Sequence, residues 1–300
     1  MIRRKLREGR AGKPLVENVT RVSAPYKRAN RLFHPEDTVV DINGVRVGGN
    51  APIAVMAGPC SIEGEEHTIK MAKAVKAGGA NFLRGGAYKP RTSPYSFQGL
   101  GTEGILDMVK AREITGLPIV SELMDEVHIP EFEEYVDIVQ IGARNMQNFQ
   151  LLKASARCTS PFCSSAAWRI PLRSGSCPPS TSWPAAMRTL SSVSAASARL
   201  SVRPATRWTC PPCRSSRKKR TCIIVDPSHA TGDYKYIESM ALAAVAAGAD
   251  GLENRGPQRP AARLDATAQC LKPDKFADVI AKCARSLQPL AGRCKLDAKI

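Results

Sequence analysis

Apolar runs of strand length alternate with amphipathic segments of helical period along most of the chain. TVVDINGVRVGG (38–49) alternates apolar and polar positions like a small hairpin that turns at Asn43-Gly44. PIAVMAGPCS (52–61) reads as a buried strand broken at Gly-Pro, and EEHTIKMAKAVKAGGA (65–80) as a helix stopped by Gly-Gly. ANFLRGG (80–86) and TEGILDMVKAREITG (102–116) repeat this unit. LPIVSELM (117–124) with a helix around EVHIPEFEEY (126–135), then VDIVQIGA (136–143) with NMQNFQLLKAS (145–155), repeat it twice more. The strands are apolar enough to be covered on both faces, as parallel strands are. The alternation resumes at CIIVDPSHATG (222–232), continues through the helix YIESMALAAVAAGA (236–249) and a strand beginning ADGL, and closes with the helix KPDKFADVIAKCARSL (272–287). Four units before the gap, two after it and room for two more predict an α/β fold, a (β/α)8 TIM barrel with a short N-terminal hairpin, ahead of an open doubly wound sheet.

Composition changes this picture in one place. The chain has 300 residues, 43% of them apolar, and a net charge of +17. That charge would suggest nucleic acid as a partner if it were spread evenly. Residues 154–221 instead contain twelve Arg and Lys with no Asp or Glu, fifteen Ser, five of the ten Cys and all three Trp, Trp168, Trp183 and Trp208. The remainder carries only +5, which is ordinary for a soluble enzyme. No apolar run is long enough for a membrane span, and MIRRKLREGR lacks the apolar centre of a signal peptide, so a cytoplasmic protein is expected.

In a (β/α)8 barrel, chemistry belongs at the C-terminal ends of the strands. Cys60, Arg84, Glu122, Arg144 and His229 each fall at or just past such an end. A lone cysteine or histidine is by default a packing residue. Cys60 in GPCS and His229 in DPSHATG, with Asp226 near enough to orient the imidazole, together make half of a divalent-metal site that two carboxylates would complete. FLRGGAYKPRTSPYSFQG (82–99) gathers Arg84, Lys89 and Arg91 with Thr92 and Ser93 on a loop shaped by Gly and Pro, and forked cationic donors of this kind suit a phosphorylated substrate.

GPCS, FLRGGAYKPRTSPYSFQG, SELMD, QIGARNMQN and IIVDPSHATG, in this order, resemble 3-deoxy-D-arabino-heptulosonate 7-phosphate synthase of the type related to 3-deoxy-octulosonate 8-phosphate synthase. The likeness covers about residues 32–153 and 222–251, with a fragment at 271–282. It implies a metal-dependent barrel that condenses phosphoenolpyruvate with erythrose 4-phosphate and releases phosphate, the first step of the shikimate route to aromatic amino acids. It also implies Cys60 and His229 as ligands of a divalent metal ion (Mn, Fe, Co or Zn), and a homo-oligomer. Arg84, Lys89 and Arg144 would hold phosphoenolpyruvate, Ala143 would join the substrate-binding residues, Glu122 would stand near the reacting carbons, and Lys89 and Glu122 would be the catalytic residues. The run Lys89, Pro90, Arg91, Thr92 resembles the family's erythrose-phosphate loop, which favours the four-carbon acceptor over the octulosonate alternative.

Where the resemblance calls for a fifth strand ending in Lys-Arg-Gly and a sixth ending in an Arg-containing loop, the chain has the basic segment. An excess of Ser, Arg, Cys, Trp and Pro without acids is what GC-rich coding DNA gives when translated out of frame. One base out of register, Phe162-Cys163 must encode Leu and Trp208-Thr209 must encode Asp, and permitted codons from Arg157 onward spell a strand ending in Lys-Arg-Gly. With permitted codons, NRGPQRPAARL, within residues 254–267, can be re-read in the other shifted frame as a strand containing Glu-Val-His, which resembles the family's eighth with its metal-binding glutamate. Strands 5, 6 and part of 8 are therefore expected to be corrupted, with open sheet edges and two metal ligands instead of four. The domains expected are a 1–37 extension, remnant of a small regulatory domain; a first half-barrel at 38–153; the anomalous segment 154–221; and the rest of the barrel at 222–300. The rival reading is an inactive barrel fragment whose basic insertion binds nucleic acid, with Cys210-Pro-Pro-Cys213 in a zinc site. It is disfavoured because the segment replaces strands the barrel needs and contains no histidine.

Overall fold

The structure is a computed structural model, and it describes residues 35–89, 95, 97–145, 147–158, 161–166, 189–194, 222–231, 233–256 and 270–287. A two-stranded antiparallel hairpin, β1 (Val40–Ile42) and β2 (Val45–Val47), precedes the barrel and turns through Asn43 and Gly44 at φ 50° and 85°. Positive φ at both turn positions is what a tight hairpin of this twist needs. The barrel strands are β3 (Ala54–Gly58), β4 (Phe82–Gly85), β5 (Ile119–Glu122), β6 (Ile138–Ile141), β7 (Phe162–Ala166), β8 (Thr189–Ser194), β9 (Cys222–Asp226) and β10 (Gly251–Arg255). They pair in parallel in the order β10-β3-β4-β5-β6-β7-β8-β9 and close into a ring.

Helices α1 (Glu65–Ala77), α2 (Thr102–Thr115), α3 (Ile129–Tyr135), α4 (Phe149–Ser155), α5 (Pro227–Thr231), α6 (Ile237–Ala246) and α7 (Pro273–Leu287) follow their strands. In α1, Thr68, Met71, Ala72 and Val75 fall on one face and are buried, while Glu65 and Glu66 in the first turn and Lys76 in the last complement the helix dipole. Asn148 caps α4 by accepting a hydrogen bond from Leu151 N at 3.2 Å. The sequence pattern located these elements to within a few residues. It missed that the 222–232 segment leaves its strand at Asp226 to form the one-turn helix α5, which carries His229.

The expected open edges do not occur. β7 pairs with β6 through three registered residues and with β8 through five, and β8 pairs with β9 through five, so the anomalous segment supplies the fifth and sixth barrel positions. The ladder is made of backbone groups, so short Ser- and Thr-rich runs such as FCSSA and TLSSVS can form it despite their weaker strand propensity. β10 likewise pairs with β3 along its whole length, five residues, including Asn254 and Arg255 of the re-read stretch. The 1–34 extension, the remainder of 154–221 including Cys210 and Cys213, and residues 257–269 including Asp265 lie outside the described residues.

Two apolar cores hold the ring. One lies between strands and helices, with Leu83, Ile119, Leu123, Phe132, Ile223 and Leu252 among its members. The other fills the lower barrel with Met56, Phe82, Val120, Ile138, Cys163 and Ile224, and the hairpin residues Val40, Ile42 and Val47 join it from below. Cys222 ties the hairpin on by donating its Sγ proton to Thr38 O at 3.1 Å. Burying a side chain the size of Phe82 contributes roughly 2 kcal/mol. The same inward alternation, one layer higher, places Arg84 above Phe82, Glu122 above Val120, Gln140 above Ile138 and Asp226 above Ile224. The barrel is apolar below and charged at its mouth.

Candidate active site at the barrel mouth

Five of the residues expected at the site meet there. Cys60 lies two residues past β3, Arg84 within β4, Lys89 past β4, Glu122 at the end of β5, and His229 on α5 beyond β9. Lys89 folds back so that its Nζ donates to Cys60 O at 2.6 Å and approaches Cys60 Sγ at 3.4 Å. Gly86 makes this possible, because a Cβ there would lie 2.7 Å from Lys89 Nζ and 2.8 Å from Cys60 O. Gly142, just past β6, does the same for Glu122: any side chain at 142 would overlap the carboxylate.

Asp226 orients His229 with both oxygens. Oδ1 accepts from the His229 backbone N–H at 2.9 Å and Oδ2 meets Nδ1. The imidazole also acts on the Cys60 thiol. Burial alone would lower the pKa of His229, but the Asp226 carboxylate outweighs it and raises the imidazole to about 9. Burial favours a neutral thiol at Cys60, yet the His229 hydrogen bond and the charges of Lys89, Arg255 and Arg84 bring it down to about 4. Burial pulls Lys89 below its ordinary value, and the Cys60 thiolate opposes that shift. The surrounding cations favour a thiolate at Cys60, and the Asp226 carboxylate favours an imidazolium at His229.

Beneath them is a buried polar network that sequence reading did not anticipate. Arg84 Nε meets Glu253 Oε1 at 2.8 Å, with both side chains about 5% exposed or less. Gln140 joins them, accepting from Arg84 Nε at 3.3 Å and donating Nε2 to Glu253 Oε2 at 3.1 Å. Burial raises the Glu253 carboxyl, while Arg84 opposes the rise. Arg84 Nη1 is buried without a hydrogen-bond partner, a donor that an anionic ligand could satisfy. The signal for Glu253 and Gln140 was strand alternation: each stands two residues beyond an inward-facing position, Gly251 and Ile138.

The remaining expected residues are placed differently. Arg144 is exposed on a single 3-10 turn, Ala143–Asn145, after β6, and Ala143 opens that turn. Pro90, Arg91 and Thr92 lie outside the described residues.

The expected divalent metal finds only part of a site. Cys60 and His229 face each other, but among the described residues no three His, Cys, Asp or Glu side chains group as a metal site. Asp226 is committed to His229, and Glu253 to Arg84 and Gln140. Arg255 stands where the shifted-frame reading places the metal-binding glutamate. The described residues do not fit a four-ligand metal ion.

A closed eight-stranded parallel barrel with charged groups at the C-terminal ends of its strands is the architecture of a (β/α)8 enzyme, here with a mouth suited to anions. Comparison with known proteins narrows this. Residues 35–163 match the model of the DAHP synthetase I family. A phospho-2-dehydro-3-deoxyheptonate aldolase of Thermotoga maritima is 49% identical over 146 residues, which is 49% of this chain and 43% of that protein. A 2-dehydro-3-deoxyphosphooctonate aldolase of Syntrophotalea carbinolica is 37% identical over 120 residues, 38% of this chain and 43% of that one. The chain thus matches less than half the length of these curated relatives. The crystal structure of the Thermotoga maritima phospho-2-dehydro-3-deoxyheptonate aldolase (DAHP synthase) superposes with a TM-score of 0.79 at 32% identity, covering 95% of this chain and 83% of that one. The chain belongs to the DAHP synthetase I family. Among the described residues, no helix is long and apolar enough to cross a membrane.

Proposed function

We propose that this mouth is the active site of a 3-deoxy-7-phosphoheptulonate synthase, and that the chain retains the half that holds phosphoenolpyruvate. The reaction joins the methylene carbon of phosphoenolpyruvate to the aldehyde carbon of erythrose 4-phosphate, takes up water and releases phosphate. The observation that carries the reading is the convergence of Arg84, Lys89 and His229 as cations over one buried layer, with Arg84 Nη1 lacking a partner. Two anionic substrates repel each other in water, and a fixed set of cations offsets that repulsion while holding them in attack geometry. Lys89, anchored on Cys60 O, keeps donor protons for the substrate. Glu122 lies near Arg84 at the end of β5, and the family resemblance assigns it to the neighbourhood of the reacting carbons. Arg144 and the Lys89-Pro90-Arg91-Thr92 run are assigned to phosphate groups by the family resemblance.

The relatives support both the four-carbon and the five-carbon acceptor, since heptonate and octonate aldolases are both similar to this chain. The KPRT run and the higher identity to the heptonate enzyme favour erythrose 4-phosphate. The family match ends at residue 163, close to where the basic segment begins, which supports reading residues 154–221 as a shifted frame instead of a nucleic-acid-binding insertion.

The test is a condensation assay with a divalent metal present, run on this chain and on a chain whose 154–221 and 254–267 segments are rebuilt in the shifted frames. The rebuilt chain is expected to consume phosphoenolpyruvate and release phosphate with erythrose 4-phosphate, and this chain to turn over far more slowly. Preference for a five-carbon sugar phosphate would move the assignment to octulosonate synthesis. No turnover by the rebuilt chain with either acceptor would refute it.

A further inference from the structure

The shifted-frame reading puts the family's metal-binding glutamate at position 255, and we infer that Arg255 bars a divalent cation from the Cys60–His229 pair. β10 pairs with β3 in register through Arg255 and Gly58, two residues before Cys60. Glu253 points into the barrel, where it meets Arg84 and Gln140, so Arg255, two residues on, faces the same side one layer nearer the mouth. Its backbone is fixed there: Arg255 N donates to Ser228 Oγ at 3.1 Å, and Gly256 N to Gly58 O at 2.8 Å. Arg255 acts electrostatically on Cys60, Asp226 and His229 alike.

Three features follow from one residue. The position supplies no carboxylate, it adds a permanent positive charge that acts on both Cys60 and His229, and it offers the Cys60 sulfur a counter-charge that competes with metal. Lys89 adds a second such counter-charge from the other side. Two of the nearby carboxylates are already bound, Asp226 by His229 and Glu253 by Arg84. The inference rests on reading Cys60 and His229 as the metal-facing pair and does not depend on turnover.

Cobalt(II) is the probe, added to the full chain after chelator treatment. Bound cobalt per chain and the thiolate-to-cobalt charge-transfer absorption are both read, and only signal abolished by C60S is counted. The chain as it stands is expected to show none at cobalt concentrations that load R255E, whose affinity rises on the order of a hundredfold through an added ligand and a removed charge. R255A, which only removes the charge, should gain less, and it gives a second reading should R255E fold poorly by circular dichroism. Cobalt bound through Cys60 in the unmodified chain would overturn the inference. So would folded R255E and R255A variants that bind cobalt no better than the parent. Absence of condensation activity in any of these proteins would bear on the synthase reading alone.

Discussion

Glu253→Leu is the substitution whose cost the structure sets most clearly. Glu253 and Arg84 form a 2.8 Å ion pair with both side chains about 5% exposed or less, and Gln140 Nε2 donates to the same carboxylate at 3.1 Å. Leucine has nearly the same volume, so the change creates no large cavity. It leaves the Arg84 guanidinium buried without its principal counter-charge and removes the Gln140 acceptor. Breaking a buried pair from one side costs about 3–5 kcal/mol, whereas replacing both partners by apolar residues of similar size is near neutral or stabilising. Urea unfolding of the full chain and of E253L, R84M and R84M/E253L measures this cycle. E253L should lose about 3 kcal/mol or more, and the double variant should recover most of that loss. A loss under about 1 kcal/mol in E253L, or singles that simply add in the double, would show that Arg84 and Glu253 are not coupled as described.

Gly142→Ala drives a methyl group into the Glu122 carboxylate, so it should cost about 1–3 kcal/mol by thermal unfolding and displace Glu122; an unchanged melting temperature would mean that Glu122 sits elsewhere. The Asp226–His229 pair contributes most in a defined window. His229, raised from 6.5 to about 9, stabilises the fold fully below pH 6.5 and loses that contribution as pH climbs through about 9, while Asp226, lowered from 3.8, contributes above that value. D226N should therefore be most destabilised between about pH 4 and 6.5 and approach the parent above about pH 9; a pH-independent difference would contradict this. Alkylation at pH 6 followed by peptide mass spectrometry should label Cys60, held at about 4, ahead of Cys158 and Cys283 at about 11 and Cys222 at about 12. Labelling of Cys222 or Cys283 first would refute the charged environment assigned to Cys60.

Much of this arrangement was legible in the sequence because it follows from period and position. Apolar runs such as AVMAG and FLRG fix strands covered on both faces, and residues just beyond them fall at the barrel mouth, which placed Cys60, Arg84, Glu122 and His229 together. Asp226 was readable as the partner of His229 from its spacing of three. The Arg84–Gln140–Glu253 network was not, since it joins β4, β6 and β10 across up to 169 positions and depends on barrel closure. The composition of residues 154–221 led to the expectation of open sheet edges, but parallel pairing is satisfied by the backbone, and the short runs FCSSA and TLSSVS complete the ring. What such strands do not restore is chemistry: Arg255 ends β10 in full register and still presents a cation where the family resemblance calls for a carboxylate.

Calorimetric titration of the full chain with phosphoenolpyruvate, alongside Lys89→Met, tests the central claim most directly. The account predicts saturable one-to-one binding that weakens with salt and that K89M reduces about tenfold to a hundredfold, the loss of one charge-assisted hydrogen bond. A folded chain that gives no saturable heat, or a K89M variant that binds as tightly as the parent, would contradict it.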